Sequence, residues 1–112
     1  MERYSTKPFA QALGDILRTE YGDQFGRFSL RALLSKMSGL SEEGFRLQIA
    51  GERTLKIQTV IEAAKALGIA PDYFIEYRAH WTAEFMKRDP EAANQVYEFA
   101  KALDDARSAQ SS

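Results

Sequence analysis

The chain contains no cysteine and only one histidine, and both shortages exclude particular kinds of site. Disulfides and thiolate metal sites need cysteine, and His80 alone cannot form a histidine-rich metal site. The sequence also has no Ser nucleophile paired with a second His, no Gly-x-x-x-x-Gly-Lys phosphate loop, and no helix face with metal-ligand spacing of Asp, Glu and His. We therefore predict that the protein is not an enzyme and uses no metal ion or cofactor.

Long apolar runs are also missing. No run approaches the roughly 20 residues that a membrane-spanning helix needs, and the initial "MERYSTKPFAQ" lacks the apolar segment of a signal peptide. The 112 residues, 45% of them hydrophobic, suffice for one modest core, with or without an appended arm. We expect a soluble, cytoplasmic protein that does not bind membranes.

A positive charge excess is absent as well. The net charge is −1, with eleven basic and ten acidic residues in 1–78 and four basic and six acidic residues in 79–112. Phosphate neutralisation supplies most of the affinity of DNA-binding domains, which more often carry a clear positive excess. If this chain binds DNA, we expect modest non-specific affinity and a weak salt dependence.

The middle of the chain carries the strongest pattern, three short amphipathic helices in succession. The segment "SLRALLSKMSG" has apolar residues at helical spacing between Ser29, a candidate N-cap, and Gly39, a stop signal. Ser41 caps "SEEGFRLQIAG", which Gly51 ends, and "ERTLKIQTVIEAAKALG" follows. Two helices joined around a glycine are typical of a helix-turn-helix, which presents its second helix to a DNA major groove.

Three short segments follow one another in the middle of the chain: "GLSEEGF", then "AGERT", then "VIEAAKALGIAPDYF". This order resembles the phage-repressor and Cro-like (XRE-type) helix-turn-helix family, in which a Ser-type cap opens the recognition helix and a Gly-x-Arg loop follows it. The resemblance covers about Phe9 to Tyr77. It implies an all-α chain with a repressor-like five-helix helix-turn-helix core, followed here by a C-terminal helical extension.

The chain departs from that family at several places, among them Leu55 where the loop after Arg53 often carries Pro. Leu34 stands where the first helix of the motif usually has a small residue, and Ser38 and Gly39 lengthen the turn by one residue. Gln48 occupies a position that is usually apolar. We expect Phe45 and Ile49, one helical turn apart, to anchor the recognition helix instead.

The remaining elements follow from start and stop signals. We predict a first helix from Phe9 to Tyr21, a fifth from Ile69 to Tyr77, and a last helix from Pro90 to Ala106 after the restart Asp89-Pro90-Glu91. The predicted domains are a helix-turn-helix DNA-binding domain at 1–78, a C-terminal helical extension at 79–106, and a disordered tail at 107–112.

The early exposed positions of the recognition helix are the candidate base readers: Glu42, Glu43, Arg46 and Leu47. Arginine can bind guanine with two hydrogen bonds, glutamate can accept from cytosine N4, and leucine can pack on a thymine methyl. The alternative for the two glutamates is that they only complement the helix dipole.

Basic and hydroxyl side chains flank this helix and are the candidate phosphate contacts: Arg27, Arg31, Ser41, Arg53, Thr54 and Lys56. In a repressor-like fold the starts of neighbouring helices face the DNA backbone, where such groups fix the docking register. The alternative is an ordinary solvated surface.

An apolar stripe continues beyond the core and is the candidate dimer interface: Tyr77, Trp81, Phe85, Val96, Phe99 and Leu103. Helix-turn-helix proteins commonly bind as dimers, because two half-sites about one DNA turn apart multiply a weak contact. The alternatives are that these helices fold back on the monomer or that they bind another protein.

Together these features predict a sequence-specific regulator of transcription that binds double-stranded DNA, most simply a homodimeric repressor on an inverted-repeat operator. Two alternatives stay open. The first is an antitoxin that binds its own operator and neutralises a toxin through its C-terminal helices. The second is a protein-interaction module that keeps the helix-turn-helix fold without binding DNA.

Overall fold

The computed structural model describes residues 2–21 and 27–111, and every regular element in these ranges is helical. The prediction of an all-α chain is confirmed for this part. No described helix is both long enough and apolar enough to cross a membrane. The elements are α1 (Phe9–Tyr21), α2 (Arg27–Leu34), α3 (Glu42–Ile49), α4 (Ile57–Leu67), a 3₁₀ turn (Pro71–Tyr73), α5 (Ile75–Arg88) and α6 (Pro90–Ser111).

The chain divides into two compact units, a first unit of Met1–Ala79 and a second unit of His80–Ser112. The division falls within α5, one residue after the boundary expected from the sequence. The core of the first unit is formed mainly by α1 and α4, with single large side chains from α2 and α3. Burying each of these large apolar side chains stabilises the fold by about 1.5–3 kcal/mol.

Phe74 closes this core from the connection between the 3₁₀ turn and α5. Its ring is completely buried and meets Phe9 edge to face, with centroids 4.8 Å apart. Helix α2 packs on α1 and α4, and α4 packs on the 3₁₀ turn. The first unit therefore has a continuous apolar centre against which α2 and α3 are held.

Several helix ends lie where the sequence places them. Helix α1 has the predicted bounds, and the Ser41 hydroxyl caps α3 by accepting from the Gly44 amide at 3.0 Å. Gly51 and Gly68 take left-handed backbone conformations after α3 and α4, with φ of 80° and 72°. Only glycine adopts this conformation without strain, so both residues are effective stop signals.

The predicted bounds of α2 are wrong at both ends. The helix begins at Arg27, so Ser29 lies inside it rather than at its N-cap, and it ends at Leu34 instead of continuing toward Gly39. Beyond Leu34 the amides of Lys36 and Met37 bind carbonyls only three residues back, a tighter pattern that terminates the α-helix. Residues 35–41 thus form a longer connection to α3 than the sequence suggests.

The predicted helix Ile69–Tyr77 is also wrong. Its first part is the 3₁₀ turn, and Phe74 is extended, with φ −89° and ψ 134°, before α5 begins at Ile75. Pro71 disfavours the α conformation for the preceding Ala70, which has ψ 138°. The break at Phe74 accompanies the burial of its ring in the core.

The last helix is longer than predicted. Helix α6 continues to Ser111, so residues 107–111 are helical where the sequence suggests a frayed tail, and residue 112 lies outside the described part. After Pro90 no glycine or proline interrupts the chain, and alanine recurs throughout. Lys101 and Asp105 form an ion pair of 2.7 Å one turn apart, an arrangement that supports a helix.

The two ends of the first unit are joined by hydrogen bonds. The Glu76 carboxylate accepts from the Phe9 amide at 2.8 Å, which caps α1 from a position 67 residues later in the sequence. The Ser5 amide donates to the Tyr73 carbonyl at 2.9 Å, and Arg78 donates to the Ser5 and Tyr73 carbonyls at 2.7 and 2.8 Å. The first turn of α5 therefore holds the N-terminal segment in place.

Candidate nucleic-acid interface

Helix α3 is held by its inner face, on which Gly44, Phe45 and Gln48 are buried. Phe45 contributes its ring to the core. A Cβ atom on Gly44 would lie 3.0 Å from the capping oxygen of Ser41. Glycine at this position therefore avoids crowding at the start of α3, which explains a residue that otherwise lowers helix propensity.

Gln48 fixes α3 to α4 by hydrogen bonds. Its side-chain oxygen accepts from the Lys56 amide at 3.0 Å and from the Thr59 hydroxyl at 2.8 Å. Lys56 is the N-cap of α4 and makes no capping bond with its own side chain. Gln48, from the preceding helix, thus satisfies polar groups at the start of α4.

Gln48 adds to the expected anchor. Phe45 is buried as predicted and Ile49 is half-buried and packs against the core, while Gln48 takes a second fully inner position. A polar residue within an apolar pattern is compatible with burial only when its hydrogen bonds are satisfied. The sequence does contain an available partner, Thr59, but nothing in the spacing identifies it.

The outer face of α3 carries Glu43, Arg46 and Leu47. Positions three and four residues apart lie on the same side of a helix, and this side is opposite the buried Phe45 and Gln48. Glu43 is exposed, whereas Arg46 and Leu47 are each partly exposed. The structure therefore brings three of the four predicted base-reading residues to one accessible face.

Glu42, the fourth predicted base reader, is engaged with two arginines. One of its carboxylate oxygens, Oε1, accepts from Arg46 Nη2 at 2.9 Å and from Arg31 Nε at 3.1 Å. The side chains of Glu42, Arg46 and Arg31 are 37%, 35% and 57% exposed, respectively. This cluster joins α2 to the first turn of α3 at the edge of the predicted reading face.

A cleft beside the start of α3 brings together four of the predicted phosphate contacts. Ser41, Arg53, Thr54 and Lys56 line it, together with the backbone at Gly44. Arg53 and Lys56 supply two positive charges, and Glu52, also on its wall, supplies one negative charge. The cleft is open to solvent, and the exposed side chains of Arg53, Thr54 and Lys56 are accessible from outside.

Arg31, another predicted phosphate contact, does not line this cleft. It lies on α2 and is paired with Glu42. Arg27 is the first residue of α2, and its side chain lies outside the described residues. Among the described residues, no three His, Asp or Glu side chains come close enough to hold a metal ion.

The second unit carries exposed apolar side chains at the positions predicted for a dimer interface. Trp81 is 51% exposed and Phe99 is 73% exposed, and Leu103 is also exposed. Phe85 stacks on Trp81 with centroids 5.4 Å apart and an interplanar angle of 16°. Val96 is half-buried.

Two residues modify the predicted interface. Tyr77 belongs to the first unit and packs against its core, so part of its surface is already used. Tyr97, which the sequence pattern passes over because it lies off the apolar stripe, is an exposed aromatic residue of α6. Exposed aromatic side chains at this density are typical of interaction surfaces.

In comparisons with protein-family models, characterised proteins and solved structures, no match to this chain was found. The function must therefore be argued from the geometry and chemistry of α3, the adjoining cleft and the exposed face of the second unit.

Proposed function

We propose that the protein is a sequence-specific regulator that binds double-stranded DNA, with α3 in the major groove. The observation that carries this proposal is the outer face of α3, where Glu43, Arg46 and Leu47 lie together on a helix whose opposite face is anchored. Arginine, glutamate and leucine are each able to distinguish base pairs in the major groove. An α-helix fits that groove, and its early residues reach the base edges.

The cleft beside α3 supports the same docking. Arg53, Thr54 and Lys56 are exposed donors on the flank of the reading face, where a DNA backbone would pass if α3 entered the groove. Such contacts position a protein on the duplex without reading its sequence. With only a small positive charge in the cleft, the protein binds random DNA weakly and depends on its base contacts for affinity.

The exposed apolar residues of the second unit support a homodimer. On α6, Val96, Phe99 and Leu103 are spaced by three and four residues, the spacing of a coiled-coil seam. Pairing of this seam with its copy would remove the exposed Phe99 and Leu103 from water. A dimer would then place two copies of α3 on an inverted repeat, which makes repression by occupying an operator the simplest regulatory role.

A pull-down of fragmented genomic DNA with the purified protein, followed by sequencing, tests the proposal. At near-physiological salt we expect enrichment of one inverted-repeat motif with half-sites about one helical turn apart. Absence of enrichment, both at that salt and at reduced salt, would refute DNA binding as the function.

The exposed aromatics of α6 also favour a second candidate, binding of a protein partner. Tyr97 lies off the Val96–Phe99–Leu103 stripe and is exposed, so a symmetric seam alone does not account for it. An antitoxin would bind its toxin through such a surface while binding its own operator. A stoichiometric complex with the product of a neighbouring gene would distinguish this role from that of a regulator acting alone.

A further inference from the structure

We propose that Glu42 is a positioning residue which holds Arg46 and Arg31 and restrains their attraction to DNA phosphates, rather than a residue that reads a base. This inference rests on the proposed function and assigns a different role to one residue of its site. It follows from the contacts of a single carboxylate oxygen and from the contrast with the adjacent Glu43.

The geometry of the cluster directs the Arg46 side chain. Glu42 is the first residue of α3 and Arg46 lies one turn further, so the 2.9 Å bond from Arg46 Nη2 runs back along the helix. Within the described residues this is the only hydrogen bond of the Arg46 side chain, and its Nε is buried without a partner. The guanidinium is a rigid planar fork, so fixing one of its nitrogens orients the others. Glu42 therefore sets the direction in which Arg46 meets a base.

The second contact extends the restraint to α2. Arg31 Nε donates to the same Oε1 atom at 3.1 Å, so one carboxylate oxygen holds two guanidinium groups on consecutive helices. An oxygen with two lone pairs that already accepts two donors has little capacity to accept from cytosine N4. Reading a base through this oxygen would require the loss of at least one ion pair.

The charge balance of the cluster has a consequence for binding specificity. Two arginines and one glutamate leave one net positive charge where two free guanidinium groups would present two. A DNA phosphate must compete with the Glu42 carboxylate for either arginine. Phosphates are available at every position along DNA, whereas a guanine that accepts a bidentate arginine is not. The carboxylate thus weakens binding to random DNA more than binding to the operator.

Glu43 provides an internal comparison. It carries the same charge on the same helical turn and is exposed, yet it forms no ion pair or hydrogen bond among the described residues. Removing its charge changes the overall electrostatic attraction to DNA by the same formal amount and leaves both arginine contacts in place. Because Glu43 lies on the proposed reading face, Glu43→Gln is a matched control for Glu42→Gln on random DNA, where no particular base is read.

The test compares the full-length wild type, Glu42→Gln and Glu43→Gln on two duplexes over a range of salt concentrations. One duplex carries the motif enriched from genomic DNA, and the other has a random sequence. For Glu42→Gln we expect severalfold tighter binding to random DNA and a smaller operator-to-random affinity ratio. We also expect a slope of log K against log salt that is steeper by about 0.9 for each additional phosphate that the protein neutralises. Glu43→Gln should produce a clearly smaller change in the affinity for random DNA and in its salt slope.

Three other outcomes would overturn the inference. If Glu42→Gln weakens operator binding and alters the preferred base at one position while random DNA binds as before, Glu42 reads a base. If the two variants change the affinity for random DNA and its salt slope equally, only their shared charge matters and the ion pairs have no role. If the wild type binds neither duplex at any salt concentration, the proposed function and the inference fail together. Circular dichroism of each variant checks that the helices are retained.

Discussion

Gln48 is the single residue that most directly ties the orientation of α3 to the rest of the first unit. Its amide oxygen accepts from two donors at the start of α4, and the residue is buried, with a relative exposure of only 7%. A polar anchor of this kind is directional, because hydrogen bonds require particular angles whereas apolar contacts do not. The angle of the reading face is therefore set by an interaction that an apolar residue could not supply.

We predict that Gln48→Ala destabilises the protein by about 1–3 kcal/mol, because it leaves the Thr59 hydroxyl and the Lys56 amide without their acceptor. Thermal unfolding monitored by circular dichroism measures this decrease in the free energy of unfolding. Gln58→Ala is the control, since Gln58 is exposed on α4 and bonds to Glu62 on the surface, at 3.2 Å. Equal effects of the two substitutions would show that the buried amide is not a special anchor.

For DNA binding, we predict different results at Arg46 and Arg31. Arg46→Ala should remove discrimination at one base position and cost about 1–3 kcal/mol on the operator. Arg31→Ala should weaken binding to all sequences by similar factors, as expected for a phosphate contact. Competition binding with operators changed one base at a time measures both effects. Unchanged affinity and specificity in Arg46→Ala would exclude α3 as the reading helix.

At the scale of elements, the sequence predicts helices well where a local signal ends them. The Ser41 cap and the glycine after α4 depend on residues within one turn, and both are confirmed. One error, at the start of α5, occurs where distant packing decides. Burial of Phe74 against Phe9 accompanies the break before α5, and neither residue's partner is visible in the sequence.

The cap of α1 is another element that local sequence cannot reveal, and it gives a prediction. Glu76→Ala should lower the free energy of unfolding by about 0.5–2 kcal/mol, the usual effect of losing an N-terminal cap. Amide exchange should show faster opening at the start of α1. Glu84→Ala serves as the control, because the exposed Glu84 on the same helix pairs with Lys87 on the surface, at 3.3 Å. Glu84→Ala should change the free energy of unfolding by less than about 0.5 kcal/mol.

At the scale of the whole molecule, the oligomeric state is the property that most needs a measurement. We predict that Trp81→Ala and Phe99→Ala each shift sedimentation toward the monomer, because both remove exposed apolar surface from the proposed interface. Tyr97→Ala is the control, since this residue is also aromatic and exposed on α6 but lies off the seam. An unchanged mass for Trp81→Ala and Phe99→Ala would remove these residues from a dimer interface.

The sequence anticipates the composition of the candidate site better than its internal connections. It selects the face with Glu43, Arg46 and Leu47 from helical spacing, and the segment Arg53–Lys56 from its position between two helices. The pair of Glu42 with Arg46 lies within α3, one turn apart, a spacing that is visible in the sequence. The sequence does not show that Glu42 also holds Arg31, because ion pairs between helices depend on their packing. The resemblance to repressors and the binding of DNA stay predictions.

The hydrogen bond between the Phe9 amide and Glu76 also has a consequence for biosynthesis. The ribosome makes α1 before α5, yet neither the cap of this helix nor Arg78, which donates to the Ser5 carbonyl, exists until the start of α5 has been made. Contacts between residues so far apart in the chain form late, since a long loop must close before they can. A nascent chain that ends before Phe74 therefore lacks both the ring that completes the core and the groups that hold its first residues. The first unit should become resistant to proteases in one step, only after its last turn has left the ribosome.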